Sequence, residues 1–300
     1  MSILELTRGP RLDLATLSGQ YNGVRMSRHQ ANVQTWNGEA IGLGSAVSLL
    51  FSPGERPGAH AIRMLARGGQ ADFSVSLDPQ AAGQGDPAAI EDATGAEAPA
   101  DCWLELLVSG LTFDLTGLAG GKPAPLPARA HLYGVAPSVA DAPLEAITLM
   151  PGPHLAGGGS MLPVVRMLAW LAANLARLPG TRAVVWHPAR CWSGPQHFRD
   201  VVLRWIEGGV FPGFGLAAIS PMADGGLQTE GLALFTGQEL RIEPDTATDR
   251  AAAAKIALRL LHLLVENGRV DVPELVTGPG GEKLRLEPSA NGRFVRVWKD

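Results

Sequence analysis

Cysteine, tyrosine and charge of either sign are scarce in this 300-residue chain. Its two cysteines, Cys102 and Cys191, cannot build a disulfide framework, and alone they cannot supply the four ligands of a structural zinc site. Charged residues make up 18% of the chain, and 25 basic against 29 acidic side chains leave a net charge of −4. Because there is no basic excess, we expect neither nucleic acid nor an acidic membrane surface as a partner.

The chain also lacks a readable leader and a long apolar run. The first dozen residues, MSILELTRGPRL, contain no apolar core and no small-residue cleavage site. The most apolar stretch, residues 161–178, is interrupted by Arg166, Asn174 and Arg177, so we do not expect it to span a membrane. Together with two reduced cysteines, these features predict a bacterial-type cytoplasmic protein.

Apolar residues and turn formers are what the sequence has in quantity. Apolar residues are 46% of the chain, enough for a large core. The 37 glycines and 23 prolines are one residue in five, against roughly 12% in average proteins. We therefore expect a globular protein with many turns and long loops, of one large domain or two ordinary ones.

Two breaks divide the chain. Residues 78–101 contain six acids, no base and one large apolar side chain, Ile90, so they cannot bury enough surface to become ordered. Residues 119–130 are rich in glycine and proline. We predict a β-rich N-terminal part (1–118) with a mobile acidic loop (78–101), and an α/β C-terminal part (131–300). The two parts can also pack as one composite domain.

Apolar runs and alternation predict the elements of both parts. In the N-terminal part they predict strands at Ala46–Phe51, His60–Ala66, Ala71–Leu77, Trp103–Val108 and Leu111–Leu115. In the C-terminal part they predict strands at Leu144–Met150, Arg182–Trp186, Leu216–Ile219, Gly231–Phe235, Glu239–Ile242, Lys283–Leu286 and Arg293–Trp298. Helices are expected at Leu162–Leu178, after a Ser193 cap, and from about Ala247 to Glu266.

The fold class that follows is α/β (α+β), a mixed sheet with flanking helices. Leu144–Met150, the helix Leu162–Leu178 and Arg182–Trp186 form a β-α-β unit, which predicts two neighbouring parallel strands joined by a right-handed crossover.

Four phrases in the second half carry a family resemblance: LEAITLMPGPHLAGG, AVVWHPARCW, TEGLALFTGQELRIEP and SANGRFVRVW. They resemble an uncharacterised bacterial family, a domain of unknown function. The resemblance covers about half of the chain and implies an α/β fold. It transfers no activity, cofactor or site residue.

A candidate site follows from the predicted β-α-β unit, because ligands collect outside the carboxyl ends of parallel strands. The loops that leave the two strands would bring eight residues together: His154, Gly157, Gly158, Gly159, Ser160, His187, Arg190 and Cys191.

The glycine turn Gly157–Ser160 could bind an anion, since free N–H groups before a helix attract negative charge. The structural alternative is that Ser160 caps the helix and the glycines permit the turn. The turn lacks the lysine of a phosphate-binding loop.

His187 and Cys191 could act as catalytic base and nucleophile, because a thiolate beside an imidazole or the Arg190 guanidinium is activated. The structural alternative makes Cys191 a small buried side chain and pairs Arg190 with a carboxylate. The spacing of His154, His187, Cys191 and His197 matches no common zinc pattern, so no metal is predicted.

The leading functional hypothesis is a binding or assembly module that recognises a protein or a small molecule, with homo-oligomerisation open. The alternative is a small-molecule hydrolase or transferase that uses Cys191 and His187, with the turn Gly157–Ser160 as anion or oxyanion donor. The sequence identifies no cofactor.

Overall fold

The computed structural model describes residues 34–36, 39–41, 45–68, 72–78, 102–155 and 157–300. Helices and strands are both present and the two larger sheets are mixed, which confirms the α+β class. Apart from Asp78, the predicted mobile loop (residues 78–101) lies outside the described residues. The division into two parts stays a prediction.

An eight-stranded sheet forms the larger layer. In chain order its strands are β3 (Val47–Phe51), β4 (Ser74–Leu77), β5 (Trp103–Val108), β6 (Leu111–Thr116), β7 (His131–Tyr133), β8 (Glu145–Pro151), β9 (Ala183–Trp186) and β10 (Cys191–Ser193). Their order across the sheet is β4-β5-β6-β8-β3-β9-β10-β7. A separate hairpin pairs β1 (Gln34–Trp36) with β2 (Glu39–Ile41).

The sequence of each strand matches its place in this sheet. Every residue of β3 is buried, as expected for a central strand covered on both faces. Strand β5, nearer an edge, alternates half-buried and buried residues.

The helices described in this region are α1 (Ala59–Arg67), α2 (Pro137–Ala140), α3 (Leu162–Leu175) and α4 (Pro195–Ile206). Helix α3 is apolar around most of its circumference, because it packs against strands β3 and β8 on one side and α4 on another.

A six-stranded sheet forms the second layer. Its strands are β11 (Ala218–Pro221), β12 (Leu227–Glu230), β13 (Glu239–Ile242), β14 (Glu274–Thr277), β15 (Lys283–Pro288) and β16 (Phe294–Lys299), in the order β11-β12-β13-β16-β15-β14. A short helix, α5 (Ala233–Thr236), joins β12 to β13. The long helix α6 (Arg250–Asn267) begins at Asp249, whose carboxylate accepts the N–H groups of Ala251 and Ala252.

One continuous buried cluster connects the two sheets. It runs from Val47 and Leu149 in the first sheet, through Trp205 and Phe211, to Leu240 and Val297 in the second. The apolar faces of both sheets therefore contribute to a single core.

The predicted neighbouring strands of the β-α-β unit are not neighbours. Strand β3 lies between β8 and β9 and pairs antiparallel with each, Leu49 opposite both Ile147 and Val184. Strands β8 and β9 do run parallel, but their ends are about 10 Å apart, twice the strand spacing. The prediction was wrong because an N-terminal strand inserts into the C-terminal unit, a long-range pairing that periodicity does not reveal.

Three local predictions were also wrong. Residues 60–66 lie in helix α1, because Ala, Met, Leu and Arg favour a helix and this short pattern fits either period. The predicted strand at 231–235 is mostly helix α5, and the strand precedes it as β12. Ser193 is the last residue of β10 and Gly194 is the N-cap of α4, without a side-chain cap bond.

Candidate functional site

His187 lies directly after β9 and its imidazole contacts the central strand β3. Its Nε2 is 2.8 Å from Ser48 Oγ, which is 2.7 Å from Thr148 Oγ1 on β8. Burial lowers the pKa of His187 to about 4, so the ring is neutral near pH 7. Among the described residues, no carboxylate is hydrogen-bonded to this ring, so the orienting third group of a catalytic triad is missing there.

Sequence reasoning missed Ser48 and Thr148. Both are buried, and each is the single hydroxyl residue of its strand and lies between two apolar neighbours. A polar residue at a core position needs a partner, so this pattern was a signal that the two strands exchange a hydrogen bond.

Cys191 is enclosed at the start of β10. Its thiol donates to the carbonyl oxygen of Ala189 at 3.4 Å and lies 3.6 Å from that of Ala217. Burial raises the pKa of Cys191 to about 12, and the negative charge of Glu230 adds to the effect. A buried thiol with a raised pKa does not supply a thiolate near neutral pH, which fits the structural alternative for this residue.

Arg190 joins the two sheets. Its Nε and Nη2 donate to the two carboxylate oxygens of Glu230 at 2.5 and 2.9 Å, and Nε2 of His131 is 3.3 Å from the second oxygen. This bidentate pair, whose hydrogen bonds raise the pKa of Arg190, connects the β9–β10 turn to β12. Arg190 adopts a left-handed conformation (φ 49°) in this turn. The sequence predicted a carboxylate partner but did not identify Glu230.

The turn that follows Glu230 is held by another carboxylate. Glu239 accepts the N–H groups of Gly231 at 2.9 Å, Leu232 at 3.2 Å and Ala233 at 3.1 Å, and the hydroxyl of Thr229 at 2.6 Å. Burial raises the pKa of Glu239, against the opposing effect of these four donors. The N–H groups of this turn are thus occupied by a side chain of the chain itself.

His154 and the glycine turn lie on the other side of β8. Nε2 of His154 is 2.7 Å from Thr112 Oγ1 on β6, and the ring is exposed. In the turn, Gly158 N–H donates to Leu155 O. Ser160 does not cap the helix, because the N-cap position is Met161, which has no side-chain cap bond.

The structure therefore brings the predicted site residues to two separate places. His187, Arg190 and Cys191 lie in the turn from β9 to β10, where Arg190 N–H donates to His187 O. The second place, beside β6, contains His154, Gly157, Gly158, Gly159 and Ser160. They share no common cluster because β3 separates the two loops.

A different surface stands out on the second sheet. Along β13, β15 and β16, buried residues alternate with residues on the opposite face. The buried series is Leu240, Ile242, Leu284, Leu286, Val295 and Val297. The outward series, with Leu275 of β14 and Glu243 directly after β13, is here named the Arg–Trp face: Arg241, Glu243, Leu275, Arg285, Glu287, Arg296 and Trp298.

The indole of Trp298 is the centre of this face. The Cζ atoms of Arg285 and Arg296 lie 5.2 and 4.7 Å from its ring centroid, within range for cation–π attraction. Leu275 is opposite Arg285 in the register and is 58% exposed. Trp and Arg are the residue types enriched at protein-binding hot spots.

Ion pairs balance the charge of the Arg–Trp face. Arg285 donates to Glu287 at 2.9 Å, and Glu243 accepts from Arg296 at 2.6 Å and from Arg241 at 3.2 Å. Arg241 also pairs with Asp224. Three guanidinium groups thus face three carboxylates, and the side chains of Arg285 and Arg296 remain nearly half exposed.

No group of three or more His, Cys, Asp or Glu side chains within the described ranges could hold a metal ion. None of the helices in the same ranges is both long and apolar enough to cross a membrane. Comparisons with models of protein families, with curated proteins and with solved structures found no match to the chain.

Proposed function

We propose that this protein is a binding or assembly module of the bacterial cytoplasm that recognises a polypeptide through the Arg–Trp face. The observation that carries the proposal is the row Leu275–Arg285–Trp298, three side chains in register on neighbouring strands. Apolar and aromatic side chains flanked by arginine form the usual centre of a protein interface.

The charge balance of this face favours a protein over a nucleic acid. Nucleic-acid binding depends on a surplus of cations that neutralise phosphates. Here each guanidinium already pairs with a carboxylate, so a polyanion would gain little. A protein surface of mixed charge can use the remaining arginine donors and the indole.

The cytoplasmic placement is supported by the state of the cysteines. Cys191 is a buried, free thiol, and Cys102 is buried as well. Free thiols are typical of a reducing compartment.

The alternative of a hydrolase or transferase gains no support from the site geometry. Its proposed nucleophile, Cys191, is buried and has a raised pKa. The proposed oxyanion donors at Gly157–Ser160 lie beyond β3 and β8. A binding role needs neither group to react.

A photo-crosslinking amino acid at Leu275 tests the proposal in bacterial cells that express the full chain. We expect a covalent adduct, identified by mass spectrometry, that Arg285→Glu in the same chain abolishes. The matched control places the crosslinker at Val210, which is 67% exposed outside the Arg–Trp face and should give no such adduct. Absence of an adduct at Leu275, or the same adduct at both positions, would contradict the proposal.

A further inference from the structure

We infer that the occupant of the Arg–Trp face is a second copy of this chain, packed face to face about a twofold axis. This inference rests on the proposed function, because it names the partner of the same surface. Its basis is a pair of complementary side chains that the face repeats on two adjacent strands, β15 and β16.

The pattern consists of two rows across the sheet. One row contains Arg285 and, opposite it in the register, Trp298. The row continues onto β13 at Glu243, because Glu243 N–H donates to Val297 O. The other row contains Glu287, opposite Arg296, which is opposite Arg241. Strands β15 and β16 therefore each present two complementary groups, one in each row, whereas on β13 Glu243 is buried and already paired with Arg241 and Arg296.

A twofold axis in the interface plane, perpendicular to the strands and midway between the rows, exchanges the rows between the copies. It places β15 over the partner's β15 in the opposite direction, so that Arg285 meets the partner's Glu287. On β16, Trp298 meets the partner's Arg296, a cation–π pair. Strands β15 and β16 are complementary for the same position of the axis, as an isologous interface requires.

The net charge of the face allows two copies to meet. Its three arginines are matched by Asp224, Glu243 and Glu287. At the margin, Lys283 and Asp300 are neighbours, because Asp300 N–H donates to Lys283 O. They add one charge of each sign. A strongly charged face would repel its own copy, whereas this one attracts it row by row.

The area of the face indicates how tight such a dimer is. The four strands of the face, about 4.8 Å apart and about 16 Å long, project roughly 300 Å² per copy, or about 600 Å² in total. Stable interfaces bury about 1,200–2,000 Å², so the dimer belongs to the weak, reversible class. Two sheets packed this way lie about 10 Å apart, with strands within about 30° of each other.

Complementary charge reversals test the axis by sedimentation velocity, from low micromolar to several hundred micromolar protein. The wild type should shift from the 31.5 kDa monomer towards twice that mass as the concentration rises. The variant Arg285→Glu places two pairs of like charges across the axis, and so does the variant Glu287→Arg. We therefore expect the dimer dissociation constant of each variant to rise about tenfold or more. Mixed in equal amounts, the two variants should form heterodimers, because every introduced charge then meets its opposite.

Controls separate this inference from the proposed function. Arg204→Glu, on an exposed part of α4, should leave dimerisation unchanged, and thermal melts should show that every variant is folded. A wild type that stays monomeric, or two variants that fail to pair when mixed, would overturn the second copy as occupant. If the Leu275 crosslink then yields another protein, the proposed function stands; a monomer without any adduct overturns both.

Discussion

At the residue scale, His187 shows how burial changes a side chain that the sequence marks as reactive. The same imidazole could serve as a catalytic base in an open loop, but here it completes a hydrogen-bonded row with Ser48 and Thr148 across three strands. Because its neutral form is favoured in the folded protein, the residue links stability to pH.

We expect the stability contribution of His187 to fall as the pH drops from about 6.5 to about 4. In that window the unfolded chain binds a proton at this residue while the folded chain does not, so the free energy of unfolding decreases by about 2–3 kcal/mol. Urea unfolding at several pH values should show this slope reduced in His187→Gln. His154→Gln, at an exposed histidine, is the control; an unchanged slope in His187→Gln would contradict the assignment.

Cys191 should be unreactive towards iodoacetamide in the folded protein. Its side chain is fully buried and its pKa is raised to about 12, so the thiolate is neither accessible nor populated near neutral pH. Mass spectrometry of peptides should find it alkylated only after unfolding in urea. Half-maximal labelling of native Cys191 below the ordinary thiol pKa of about 8.5 would restore the enzymatic alternative.

At the element scale, the junction of the two sheets depends on a close approach of two turns. Gly231, after β12, has φ 91°, and a Cβ there would be 2.6 Å from Ala189 Cβ. Arg190 and Glu230 join the same two turns by hydrogen bonds. The segment that the sequence marks as a reactive loop is therefore part of this junction.

Gly231→Ala should destabilise the protein much more than Gly54→Ala. Both glycines have positive φ, but a Cβ at Gly54 meets nothing within 4 Å. We expect about 1 kcal/mol for Gly54→Ala from backbone strain alone. For Gly231→Ala we expect about 3 kcal/mol, because displacement of Ala189 is added to the same strain. Urea unfolding measures both, and equal losses would show that the turns are not in tight contact.

At the scale of the whole molecule, the buried cluster that both sheets share predicts that the two sheets unfold together. Hydrogen exchange with mass spectrometry at increasing urea should show the same urea dependence for peptides from β8 and from β16. Loss of protection in one sheet at clearly lower urea than in the other would favour two separable domains. The result decides whether parts 1–118 and 131–300 act as one composite domain.

Most of the elements could be predicted from the chain itself. The patterns at Trp103–Val108, Leu162–Leu175 and Glu239–Ile242 have the periodicity of the strands and helix observed there. The strand prediction for the short segment 60–66 was wrong because seven residues fit both the helical and the strand period. Tertiary packing then selects the helix. Strands β7 and β10, of three residues each, gave no pattern long enough to detect.

What the sequence determined by itself was the composition of the core, the α+β class and which residues are chemically capable of reaction. Only the tertiary structure decided where those residues lie. Strand β3, about 100 residues before β8 in the chain, enters between β8 and β9 and separates His154 from His187. The tertiary structure also revealed the Arg–Trp face. Cross-strand register brings the residues of this face together, and register, unlike local periodicity, depends on pairings between residues as distant as Arg241 and Arg296.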